Sequence, residues 1–166
     1  LNHLDDPTLA EILAGKQLRT LRLGGNYNGM AREGVAPDRP NLTSACSATL
    51  ADQLKLERLD ASFAQWLDES AMRELSRLPR LQHLELRSAK LSSACLRELA
   101  ESSSLREVSL LQCRDLEIDA LQALQPAKLT YLDVYATKLA ASDVRTAAKA
   151  WPGCKVRMPD ASIYRV

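Results

Sequence analysis

The sequence predicts an α/β solenoid of short parallel strands and short helices, and three observations carry that prediction. An apolar triplet recurs in an L-x-x-L-x-L frame at Leu81/Leu84/Leu86, Leu105/Val108/Leu110 and Leu129/Leu132/Val134, followed by Val156/Met158. The step from Leu84 to Val108 to Leu132 to Val156 is 24 residues each time. Between successive triplets lies a second apolar frame with the spacing of a helix stripe. A constant period of this size means repeated units, each burying its apolar face only against its neighbours.

The alternation inside each triplet is that of a strand with one buried face, and stacked copies give a parallel sheet. Earlier copies at Leu18/Leu21/Leu23 and Leu56/Leu59/Ala61 bring the total to about six strands, the last over 155–158. In the helical frame an apolar residue is followed by others five and eight positions on. Leu42/Ser47/Leu50, Leu67/Met72/Leu75, Leu91/Leu96/Leu99, Leu116/Leu121/Leu124 and Leu139/Val144/Ala147 obey it. Leu4/Leu9/Ile12 fits as well, with Asp5, Asp6 and Pro7 as start signals and Gly15 as the stop. Residues 1–17 are therefore expected to form an N-terminal helical half-repeat. Because the chain opens on Leu1 inside a repeat, that helix is expected either to cap the array or to mark where a longer one is cut.

The step from Leu18 to Leu56 is 38 residues, 14 longer than the 24-residue repeat. The excess falls in residues 24–40, whose glycines and prolines mark an inserted loop. At the other end, Lys155, Arg157 and Pro159 surround Val156 and Met158. Charge and proline on an edge strand block further pairing, so the array is expected to stop there, with residues 152–166 as a C-terminal cap and a short tail from Pro159 onward. Trp151 is expected to plug the terminal core. The repeat makes 1–166 one elongated domain.

Lysine and arginine number 22 against 21 acidic residues, so no global field favours nucleic acid or an anionic membrane as a partner. No apolar run reaches the length of a membrane span. Cys46, Cys95, Cys113 and Cys154 match no zinc spacing. Cys46 and Cys95 share a column of small residues with Ala71 and Ala120, two repeats or about 10 Å apart, too far for a disulfide. Four reduced, structural cysteines are expected; they suggest a cytoplasmic setting, but a targeting signal ahead of Leu1 would be missing from this sequence, so the compartment stays open.

These strands, helices such as Ser93-Ala94-Cys95-Leu96-Arg97-Glu98-Leu99, and the ending Trp151-Pro152-Gly153-Cys154-Lys155-Val156 resemble the leucine-rich repeat family over residues 4–158. The likeness is closest to the ribonuclease-inhibitor-like and cysteine-containing types, and the ending is similar to that of many bacterial members. One departure is plain: the family's asparagine/cysteine position reads Asn26, Ala64, Ala89, Cys113 and Thr137, so a continuous asparagine ladder is absent. The resemblance implies a right-handed horseshoe with strands on the concave face and helices on the convex one. It implies a protein-binding scaffold, not an enzyme, with no cofactor.

Strand residues that are not core leucines line up in columns on the concave face. The first holds Thr20, Arg58, His83, Glu107, Tyr131 and Lys155; the second Arg22, Asp60, Glu85, Ser109, Asp133 and Arg157; the third Gly24, Ser62, Arg87, Leu111, Tyr135 and Pro159. Tyrosine and arginine dominate binding hot spots, so Tyr131, Tyr135 and Arg157, with Asp133, Leu111, Arg87 and His83, form the expected protein-binding surface. Phe63, Trp66 and Tyr27 are candidate rim contacts. His83 shares a strand face with Glu85, yet no nucleophile accompanies the pair, so acid–base catalysis is not expected. Gly24, Gly25 and Gly29 lack the Lys-Ser/Thr of a phosphate loop. The function expected is recognition of a protein by a monomer or weak dimer. Two alternatives stay open: the targeting domain of a larger, bacterial-effector-like protein with its catalytic part upstream, and a stand-alone inhibitor or immunity-type protein.

Overall fold

In the computed structural model, which describes residues 4–24 and 40–166, each apolar triplet forms a three-residue strand. These are β1 (Thr20–Arg22), β2 (Arg58–Asp60), β3 (His83–Glu85), β4 (Glu107–Ser109), β5 (Tyr131–Asp133) and β6 (Lys155–Arg157). They pair in parallel in chain order within one seven-stranded sheet. Register is unbroken, so Leu21, Leu59, Leu84, Val108, Leu132 and Val156 stand side by side. From Leu59 onward this row is at most 2% exposed, which makes it the spine of the core.

Helices α1 (Asp6–Leu13), α2 (Cys46–Ala51), α3 (Glu69–Ser76), α4 (Ser93–Ala100), α5 (Ile118–Ala123) and α6 (Ala141–Ala148) alternate with the strands, each packing on the next. Three have side-chain caps. Asp5, Asp68 and Ser92 accept hydrogen bonds from the amides of Thr8, Ala71 and Cys95 at 2.9, 2.8 and 3.1 Å, satisfying amides that a helix start otherwise leaves open. The buried helix residues join the strand leucines in one core, so the other sheet face is turned away from the helices. This repeating strand–helix alternation is compatible with a solenoid.

The turns after β2, β3, β4 and β5 each hold a left-handed residue, Phe63, Ser88, Gln112 and Ala136, with φ between 53° and 62°. Their amides donate to the carbonyls of Arg87, Leu111, Tyr135 and Pro159 in the following unit at 2.7–3.2 Å. The ladder therefore continues past the strands. One position later, where an asparagine ladder would run, the amides of Ala64, Ala89, Cys113 and Thr137 close local turns onto Ala61, Leu86, Leu110 and Val134. Cys113 Sγ also donates to the carbonyl of Leu86, at 3.0 Å, and Thr137 Oγ1 to that of Val134, at 2.8 Å.

Two expectations are corrected. The chain beyond Pro159 is not an unpaired tail: β7 (Ile163–Arg165) folds back antiparallel on β6. Proline ends β6, Asp160 accepts the Ser162 amide at 3.0 Å, and Met158 donates to the Ser162 carbonyl at 2.8 Å, which closes the reversal. In α1 the buried stripe is Leu9 and Leu13, four apart as neighbours on one helix face are, while Ile12 is 39% exposed. Trp151 is buried at the C-terminal end of the core. The inserted loop at 25–39, with Tyr27, lies outside the described residues.

Candidate functional site

Strand register places the polar columns on the face turned away from the helices. Thr20, Arg58, His83, Glu107, Tyr131 and Lys155 form one row, and Arg22, Asp60, Glu85, Ser109, Asp133 and Arg157 the next. Glycine is required at the β1 end of the third: a Cβ on Gly24 would come within 2.7 Å of Asp60 Oδ1 and 2.9 Å of Ser62 Cβ.

Between the first two rows runs a trench of about 210 Å³, reaching from Thr20 to Tyr131 across β1–β5. His83 and Tyr131 line it; Tyr135, Arg157 and Asp133 do not. Those three form a separate group beside its end. Arg157 donates to Asp133 Oδ2 at 3.3 Å and stacks over the Tyr135 ring at 4.3 Å, while Asp133 Oδ1 accepts the Tyr135 amide at 2.9 Å. Asp133 is buried and committed to these contacts. Arg157 and Tyr135 remain half-buried, their outer surfaces open.

Other expected contacts move. His83 does not pair along its strand with Glu85; its Nδ1 lies 2.6 Å from Glu107 Oε2 on the neighbouring strand. Leu111 sits in the third column but is only 8% exposed, so it offers little surface. Trp66 is not a rim contact: at 6% exposure it packs into the core with Leu67, unlike Lys90, Asp115 and Lys138 at the equivalent positions, which are exposed. Phe63 is half-buried at the turn after β2. Arg87 is half-buried, and its Nε is covered without a hydrogen-bond partner among the described residues.

The trench centre is the part that sequence reasoning passed over in favour of the tyrosines. Burial first, then the neighbouring Asp60 carboxylate, pushes the Glu85 carboxyl above its ordinary range. Burial, then Asp133, raises the Tyr131 hydroxyl. The available signal was the adjacency of Asp60 and Glu85 in the second column, one repeat apart in sequence.

Cys46, Cys95, Cys113 and Cys154 are free and buried. Burial raises the thiols of Cys46 to about 12 and of Cys113 and Cys154 to about 11, the opposite of an activated thiolate. Among the described residues no three His, Cys, Asp or Glu side chains are grouped to hold a metal ion, and no helix is long and apolar enough to cross a membrane. No family model matches the chain, and no curated protein matches its sequence.

Proposed function

We propose that this chain is a leucine-rich repeat module, a right-handed horseshoe whose concave surface is the polar sheet face, and that it binds a protein partner without catalysing a reaction. The observation that carries this is the continuous register of polar rows across six parallel strands. One face of each strand supplies the core, and the other presents side chains the fold does not need. A broad, polar, multi-strand surface bearing tyrosines and arginines suits a protein surface better than a small substrate. The raised thiols of buried Cys46, Cys113 and Cys154 argue against a thiol mechanism at those positions.

The test is an affinity capture with the domain beside a Tyr131→Ala/Tyr135→Ala/Arg157→Ala variant of unchanged thermal stability. A protein retained by the first and lost by the second is the expected result. Equal retention by both would remove the sheet face as the binding surface.

A further inference from the structure

We infer that the trench receives a basic side chain: the partner lays a segment across β2–β4 and sets a lysine or arginine against Glu85. This rests on the recognition reading above and names the partner's chemistry. The second column runs Arg22, Asp60, Glu85, Ser109, Asp133, Arg157 from β1 to β6, with cations at both ends and carboxylates between. Most of these charges have partners. Asp133 holds Arg157 and the Tyr135 amide, Glu107 of the first column holds His83, and Asp60 accepts the Ser62 amide at 2.9 Å.

Arg22 has no such partner among the described residues, and among the carboxylates Glu85 is the exception. It lines the trench half-buried, and among the described residues no donor reaches its carboxylate. Arg22 and Arg87 act on it through their fields, yet neither makes an ion pair with it. A half-buried carboxylate with no protein donor takes its hydrogen bonds from water alone. An incoming ammonium or guanidinium replaces that water with charge-assisted bonds. At a strand spacing of about 4.8 Å, such a group over Glu85 has Asp60 on one side and the Ser109 hydroxyl on the other. An acidic side chain placed there would face two carboxylates. Arg22, roughly 10 Å away at two strand spacings, suits an acidic neighbour of that basic residue, so the column reads a charge pattern and not merely a charge.

The experiment is a selection of random dodecapeptides displayed on phage against the protein, with the binders remade as synthetic peptides. Each is titrated against wild type, Glu85→Gln and Tyr131→Ala, all checked for intact thermal unfolding. Peptides that weaken on Tyr131→Ala mark the sheet face. The expected result is that these contain a lysine or arginine whose replacement by alanine weakens binding at least about tenfold, the scale of one charged hydrogen bond. Glu85→Gln should cause a similar loss, and the two changes together should cost no more than either alone. Face-dependent peptides without a basic residue, or indifferent to Glu85→Gln, overturn the inference and leave the recognition reading standing. A selection yielding no face-dependent peptide overturns both.

Discussion

Glu85 works against the fold that holds it. With its carboxyl raised by burial and by Asp60, the folded protein keeps the proton more tightly than the unfolded chain does. Stability is therefore complete below the unfolded value, near 4.3, and declines as pH rises through the higher folded value. Glu85→Gln should raise the Tm at pH 7, with the gain vanishing near pH 3; thermal unfolding at the two pH values checks it, and an equal Tm at pH 7 would contradict it. On the proposed reading, the residue that weakens the fold is the one that serves the partner, a familiar arrangement at binding sites. The sequence shows Glu85 in its column but not its isolation, because that depends on which neighbours find partners of their own. The His83 partner follows the same logic. Glu85 is two residues along the same strand, whereas Glu107 is one repeat on and one strand spacing away. The 24-residue period contains that pairing once register is applied.

The strand-end turns make a separate claim about elements. Phe63, Ser88, Gln112 and Ala136 all hold left-handed backbone, which costs a residue with a side chain roughly 1–2 kcal/mol. Their amides tie each unit to the next, which keeps the conformation in place. At Ala136, glycine should be tolerated or slightly stabilising, whereas valine should cost about 1–2 kcal/mol or more. Urea denaturation of the two variants checks this, and equal midpoints would remove the argument. Elements that obey the period were legible: the six parallel strands and the frames of α2–α6 follow from leucine spacing. β7 was not, because a three-residue strand entered through a tight reversal carries no repeat signal and pairs in the opposite direction. The stripe of α1 shifted to the four-residue pair Leu9/Leu13, whereas α3 and α4 bury the three-residue pairs Met72/Leu75 and Leu96/Leu99. Both spacings keep one helix face, so spacing alone does not choose between Ile12 and Leu13, and Leu4 lies before that helix begins.

At the scale of the molecule, the Leu59–Val156 row joins the units into one core, and damage to one position should spread. Leu132 lies fully buried between Val108 and Val156. Leu132→Asp removes about 1.5–3 kcal/mol of apolar burial and adds an unpaired buried charge. Hydrogen exchange should show lost protection in β4 and β6 as well as β5, and loss confined to β5 would contradict the stacked picture. Nothing in the spacing of leucines says what the polar face meets, since the period constrains only residues that neighbouring units bury. The trench, the committed Asp133 and the covered Trp66 all depend on side-chain contacts that the repeat leaves free to vary.

The β6–β7 reversal also bears on the order in which the chain acquires structure. Every parallel pairing must close a loop of at least 24 residues, while the antiparallel pair closes across Pro159–Ser162. Loop-closure entropy favours the short connection by about 1 kcal/mol or more, and the hairpin places β6 as a template for β5. Assembly of the array accordingly nucleates at its C-terminal end and travels toward β1, unit by unit. Pulse-labelled hydrogen exchange during refolding would record that direction as amide protection appearing in β6 and β7 before β2 and β3, and the reverse order would refute it.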